Sequence, residues 1–356
     1  MPFSPTSVLV TGGAGFIGSN FIHVFLAANP DTKVTNLDAL TYAGNLNNLK
    51  TLERHPSYCF VKGDVTDAEL VAKVLTDSKV DAVIHFAAES HVDRSISGPE
   101  VFVRTNVLGA QVLLEESRKY WQSGAVSDFR FLQISTDEVY GSLGETGCFT
   151  EDTPLAPNSP YSATKAGADM LVRAYRETFA LPTLTTRCSN NYGPFHFPEK
   201  LIPLIISNII KRKPLPVYGD GKNVRDWLHV RDHASAVETA LKNAEPGSVY
   251  NVGGNNEWRN IDIVNLVCDL MDEKLGRYPG ENRKLITFVK DRPGHDQRYA
   301  IDASKLKLDL GWKPLHTFET GIMETIDWYL NNQDWVDDVT SGSYRDYYAR
   351  QYGGAV

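Results

Sequence analysis

The stretch that most restricts what this chain can fold into is residues 7–18, where a short apolar run, SVLVT, passes into GGAGFIG and then into apolar residues at helical spacing that end near residue 28. Strand, glycine-rich turn and helix in that order form the phosphate-binding turn of a dinucleotide fold. The first glycine permits the tight turn, the second lets the backbone approach a pyrophosphate, and the third lets helix and strand pack closely. Those positions are Gly12, Gly15 and Gly18, spaced GxxGxxG. A glycine motif alone is weak, but its context here is strong. The next strand-like run, 33–37, leads into Asp38, twenty residues beyond Gly18, where a carboxylate can bind the adenosine ribose hydroxyls. The same carboxylate sits badly against a 2′-phosphate, so NAD is expected over NADP; Lys33 and Arg54 are the residues that could weaken that preference.

The alternation of strand and helix continues. Strand-like runs at 58–61, 81–86, 131–135, 184–187 and 249–252 alternate with helical patterns at 68–75, 100–120, 161–179 and 230–242. Alternation this regular predicts an α/β fold with a doubly wound parallel sheet. The expected division is a cofactor-binding domain over 1–188, completed by about 228–254, and a smaller, discontinuous substrate-binding domain over 189–227 and 255–340. The loop at 142–160, rich in Gly and Pro and closing on PNSP, is expected to cover the site.

Composition narrows the function. No run of eighteen apolar residues is present and the N-terminus lacks a basic leader, so the expected location is the cytoplasm with no membrane span. Cys59, Cys148, Cys188 and Cys268 are far apart, which argues against zinc and against disulfides, and no metal is expected. A net charge of -8 disfavours nucleic acid as a partner.

Two motifs carry chemistry. In FLQISTDEVYG, from Phe131 to Gly141, the apolar run stops at Ser135, so Thr136, Asp137 and Glu138 stand at the carboxyl end of a strand, the edge where open α/β sheets bind ligands. The plainer alternative is that Asp137 caps the next element and Glu138 faces solvent. In YSATK, Tyr161 and Lys165 are four residues apart and share a helix face, so the ammonium can lower the phenol's pKa and reach a ribose hydroxyl. A phenolate there can take a proton from a sugar alcohol while hydride leaves the same carbon. Such a pair usually just packs on a helix surface; downstream of a dinucleotide turn the chemical reading is preferred.

Through TGGAGFIG, AAESHVDRS and YSATK the chain resembles the extended short-chain dehydrogenase/reductase family, whose fold is Rossmann-like. Through STDEVYG, CSNNYGP, YGDGKNVRDWLHV and DRPGHDQRYAID it is similar, within that family, to the dTDP-glucose 4,6-dehydratases, from about residue 7 to residue 329. Related sugar-nucleotide epimerases and decarboxylases alter the Asp-Glu pair, which is intact here. The resemblance implies that Thr136 and Tyr161 hold the sugar's C4 hydroxyl, with Tyr161 as base and Lys165 as its partner, that Asp137 protonates the departing C6 hydroxyl, and that Glu138 takes the C5 proton. A C5 hydrogen is not acidic until C4 is a ketone, so tightly bound NAD must oxidise C4 before water is lost. The hydride then returns to C6, giving a 4-keto-6-deoxy sugar nucleotide with no net redox change.

The same resemblance implies cofactor contacts from Gly12, Gly15, Phe16, Ile17, Gly18, Asp38, Asp64, Val65, Ala87, Ala88, Thr105, Tyr161, Lys165 and Asn191. It implies sugar-nucleotide contacts from Ser90, His91, Asn190, Lys200, Leu201, Pro216, Tyr218, Arg225, Asn260, Arg292 and His295. Arg225 suits a diphosphate, because a planar guanidinium binds paired oxygens; a surface ion pair with Asp226 is the alternative. The resemblance further implies a homodimer joined through helices at 100–120 and 161–179, although the apolar excess on those helices fits burial within one subunit equally well. Thymidine and uridine substrates stay open, since one methyl in a pocket gives only ~1 to 3 kcal/mol of discrimination. The acidic, aromatic segment at 334–352 has no assigned role.

Overall fold

The computed structural model describes residues 2–291 and 295–341. Seven strands form the main sheet: β1 (Ser7–Thr11), β2 (Lys33–Asp38), β3 (Tyr58–Lys62), β4 (Ala82–His85), β5 (Arg130–Thr136), β6 (Thr183–Cys188) and, after three strands that lie elsewhere, β10 (Val249–Val252). Those three are β7 (Asn190–Tyr192), β8 (Leu215–Tyr218) and β9 (Val224–His229); β11 (Glu257–Arg259) and β12 (Ile286–Val289) follow β10.

The main sheet runs β3-β2-β1-β4-β5-β6-β10 and every pairing in it is parallel. Successive side chains of a strand point to opposite faces, and the apolar runs use both. Val8 and Val10 join Phe21, Phe25, Leu132 and Val237 in one core, whereas Leu9 joins Leu37, Leu113, Phe131 and Val172 in the other. Strand order reverses between β1 and β4, so a crevice opens there at the strands' carboxyl ends. Gly12 sits in that crevice with φ +71°, and a Cβ on it would lie 2.6 Å from the Ala87 Cα, so only glycine fits the close approach of the two strand ends.

The chain from 190 onward builds smaller units on that edge. β7, β9 and β11 form a three-stranded sheet, and β8 pairs with β12. Tyr192, Trp227, Ile205, Ile263 and Phe318 make their shared core.

Two local readings change. The helix expected at 100–120 is broken into Pro99–Phe102, a π turn at Val103–Leu108, and Gly109–Gln122. The wider turn carries Asn106, which is buried, accepts from the Glu89 backbone N at 2.9 Å and donates to Glu89 O at 3.0 Å and Thr164 Oγ1 at 2.9 Å. The π turn thereby ties the loop after β4 to the helix Pro160–Phe179. The loop at 142–160 is not a cover. Its backbone bonds to 298–302, Phe149 stacks on Tyr140 with ring centroids 5.0 Å apart, and with Leu143, Leu155 and Tyr299 it forms a small core behind the site. Its apolar residues at 143, 149 and 155 give it a place to pack.

Candidate active site

Thr136 ends β5 and caps the 3₁₀ turn Asp137–Tyr140, its Oγ1 accepting from Glu138 N at 3.3 Å. The cap turns Asp137 inward, where it is 1% exposed. Its Oδ1 accepts from Thr136 Oγ1 at 3.3 Å, and its Oδ2 is buried with no hydrogen-bond partner among the described residues. Burial, then the charges of Glu138 and Asp226, push this carboxyl well above the ordinary carboxylate range, against the smaller pull of Arg225 and Thr136. The surroundings of Asp137 therefore favour its protonated form. Glu138, next to it, is half-buried.

Tyr161 and Lys165 lie on the inner face of the helix Pro160–Phe179, whose start is fixed by Pro160 in its first turn and by a capping box between Ser159 and Ser162. Both side chains are buried. The expected lowering of the phenol is not found. Lys165 Nζ donates to Ile134 O at 2.7 Å, and burial lowers its pKa, opposed by Asp169 one turn further on. Burial, then the Glu138 charge, raises the Tyr161 phenol well above its usual value. Beneath the pair, Asp169 and Arg187 form a buried ion pair at 2.9 Å, and Arg187 also donates to Tyr140 Oη at 2.9 Å.

Thr136, Asp137, Glu138, Tyr161 and Lys165 share a cavity of about 430 Å³, ordinary for a small-molecule site. Every catalytic, cofactor-binding and sugar-nucleotide-binding residue expected from the sequence lines it except Arg292, which lies outside the described residues. At one end the glycine turn makes a cradle: a Cβ on Gly18 would lie 2.4 Å from Gly12 O, and Gly15 caps the helix Phe16–Ala28 with no side chain, a helix with no acid in its first turn. Free N–H groups at an uncrowded helix N-terminus suit a pyrophosphate. Asp38 accepts from Ala14 N at 2.9 Å and Leu40 N at 2.8 Å, which holds its carboxylate at the end of β2 in the cavity wall. The site residues fit NAD.

The other end is lined from 190 onward. Arg225 is buried, donating to Val224 O at 2.7 Å and Asp296 O at 2.8 Å, with its Cζ 4.2 Å from the Tyr299 ring centroid. Asp226, buried too, accepts from Gly254 N at 2.9 Å and Asn256 N at 2.6 Å, so the two are not a surface pair. Lys200 Nζ donates to Ser90 O at 3.3 Å, Tyr218 Oη to Asp93 at 3.3 Å, and His295 Nδ1 lies 2.6 Å from Asp291.

Residues 9–325 match the family described as GDP-mannose 4,6 dehydratase. A dTDP-glucose 4,6-dehydratase from Xanthomonas campestris pv. campestris is 60% identical over 343 residues, covering 95% of this chain and 97% of that protein. The chain belongs to the dTDP-glucose 4,6-dehydratase family. Among solved structures, the family member from Bacillus anthracis in complex with NAD superposes with a TM-score of 0.85 at 50% identity, covering 94% of this chain and 99% of that one. The member from Streptomyces venezuelae, also crystallised with NAD, gives 0.86 at 44% identity, with 94% and 99% covered.

Against this family background the cavity holds polar groups that the sequence reading missed. Glu199 is buried, accepts from Tyr42 Oη at 3.2 Å and lies 3.7 Å from Arg94 and 3.8 Å from His91. Burial raises its carboxyl. Its only sequence signal is an acid directly before Lys200 at the start of a strongly apolar helix, Leu201–Ile210. Asp169 was legible in principle, since it continues the buried stripe of Tyr161 and Lys165 at the same spacing.

Proposed function

We propose that the chain converts a nucleoside-diphosphate glucose, with dTDP-glucose the favoured substrate, to its 4-keto-6-deoxy derivative by removing water across C5 and C6. The observation that carries this reading is Asp137, a buried carboxylic acid with an unpaired oxygen at the mouth of the sheet beside a second carboxylate. An epimerase that only oxidises and reduces C4 needs no such acid. NAD, when bound, accepts hydrogen from C4 and later gives it to C6.

In this reading Thr136 and Tyr161 grip the C4 hydroxyl, and Tyr161 takes its proton. Once C4 is a ketone, the C5 hydrogen becomes acidic and Glu138 removes it. Asp137 gives its proton to the C6 oxygen, which leaves as water; the proton first lost from the C4 hydroxyl restores Asp137, and once hydride has reached C6 the proton held by Glu138, exchanged with solvent, returns to C5. Lys165, held by Ile134 O, steadies Tyr161's side of the cavity and reaches a ribose hydroxyl. Arg225, Lys200, Tyr218, Asn190, Asn260 and His295 surround the nucleotide. The division into a cofactor domain and a discontinuous substrate domain belongs to the same proposal. So does a homodimer: Val103 and Met170 are 52% and 47% exposed on the two helices expected to pair, and a second copy would cover them. The exposed free thiols Cys59 and Cys148 fit a reducing cytoplasm.

The test follows one hydrogen. Substrate deuterated at C4 should yield product deuterated at C6, with solvent deuterium at C5 when the reaction runs in heavy water. Label remaining at C4 with the C6 hydroxyl intact would replace dehydration by epimerisation. Running dTDP-glucose and UDP-glucose side by side decides the base.

A further inference from the structure

Three side chains that no step above uses meet outside the cavity. His229 ends β9, His316 precedes the helix Phe318–Asn331, and Glu324 lies within that helix; none of the three lines the cavity. One ring nitrogen of each histidine and one oxygen of Glu324 all lie within 4.8 Å of one another. His229 is 2% exposed, and among the described residues neither of its ring nitrogens has a hydrogen-bond partner. A buried imidazole is rarely left so. Its ring lies 4.0 Å, centroid to centroid, from that of His316.

The surroundings of His316 are those of a metal ligand. Its Nδ1 stands 3.0 Å from Asp232 Oδ1, while Asp232 Oδ2 accepts from the His316 backbone N at 3.0 Å, fixing the carboxylate. Its Nε2 lies 3.4 Å from Glu324 Oε2. Asp232 thus holds the backbone of His316 and stands beside its ring, where a carboxylate near a ligating histidine belongs. Tetrahedral ligands about 2.0–2.1 Å from zinc lie about 3.4 Å apart, so this pair already has the required spacing. The other Glu324 oxygen is held by Arg231. The cysteine spacing gave no reason to expect a metal, because this donor set uses none of the cysteines.

We propose that His229, His316 and Glu324 bind one zinc ion, with Asp232 orienting His316, and that the ion clips the helix Phe318–Asn331 to the end of β9. Two imidazoles and a carboxylate suit zinc, and a water would complete the four-coordinate shell.

The experiment uses the full chain, stripped with chelator and titrated calorimetrically with Zn²⁺ alone, followed by thermal melts. The expected result is one ion per chain and a raised Tm, with catalysis unchanged. His316→Gln and Glu324→Gln should each weaken binding tenfold or more and abolish the Tm rise. Their side chains are 21% and 37% exposed, so both variants should fold, which circular dichroism checks. His55→Gln should bind as the parent does. No binding by the parent, or equal binding by His316→Gln, overturns the site.

Discussion

Replacing Asp137 by Asn separates what the acid does for stability from what it does for chemistry. Burial and neighbouring carboxylates keep Asp137 protonated, so an amide of the same shape removes no charge and can keep the 3.3 Å contact with Thr136. Stability should change by no more than about 1 kcal/mol, the net worth of one hydrogen bond. The same change at Asp169 strips the partner from buried Arg187, 2.9 Å away, and should cost about 3–5 kcal/mol, the usual penalty for an uncompensated buried charge. Activity should respond in the opposite order at Asp137. Losing a positioned general acid slows a step by roughly 10²–10⁴, which is about 2.7–5.4 kcal/mol of barrier at ~1.36 kcal/mol per tenfold. Urea denaturation measures the first quantity. Single-turnover formation of the 4-keto-6-deoxy product, read by its absorbance in alkali, measures the second, and oxidation at C4 should persist in Asp137→Asn. Two results would refute the reasoning: a loss of stability at Asp137 as large as at Asp169, which would mean the native carboxyl is charged, or dehydration within about threefold of the parent rate.

Gly18→Ala places a Cβ 2.4 Å from Gly12 O, so it should destabilise by about 1–3 kcal/mol and purify without bound NAD; full cofactor occupancy at an unchanged Tm would count against the cradle. His85 is buried beside Thr11 and is held at about 3, chiefly by burial and then by Lys165, against an ordinary value of 6.5. Between those values the unfolded chain binds the extra proton, so stability is lost as pH falls through the window, and the parent should lose about 1.4 kcal/mol per pH unit more than His85→Asn. Parallel slopes in denaturation at pH 6 and pH 4 would show that His85 is not neutral in the folded chain.

The parts of the site that were legible in the sequence are those whose geometry is local. Gly18 is demanded by contacts with Gly12 and Gly13 inside one strand–turn–helix unit, Gly12 turns the chain at φ +71° in the same unit although its nearest neighbour is Ala87 after β4, and Thr136, Asp137 and Glu138 announce themselves because an apolar strand stops just before them. Glu199, directly before Lys200, and Asp169, in line with Tyr161 and Lys165, leave only faint traces, because what makes them unusual is burial supplied by remote segments: Tyr42 and Arg94 close over the first, and Arg187 from β6 meets the second. The π turn at Val103–Leu108 was hidden for a different reason. One residue added to a turn barely disturbs an apolar period, and its function lies in where it sends Asn106, a contact with Glu89 and Thr164 that no spacing encodes.

The missed direction at Tyr161 leads to the last prediction. Spacing places Tyr161 and Lys165 on one face but does not say where the ammonium points, and it points at Ile134 O. Burial, then the carboxylates around it, raises the phenol's pKa, so the resting site favours the protonated forms of Tyr161 and Asp137. A phenol this reluctant becomes a base only when positive charge arrives beside it, because an adjacent cation favours the ionised form. Oxidised NAD carries that charge; the reduced form does not. The phenol should therefore titrate lower in the complex with oxidised cofactor than in the complex with reduced cofactor or in the stripped chain. The tyrosinate difference spectrum of the parent minus Tyr161→Phe, recorded against pH in all three states, isolates this one group. Identical midpoints would mean that the cofactor's charge does not tune the base, and would return Lys165 to that role through a movement away from Ile134.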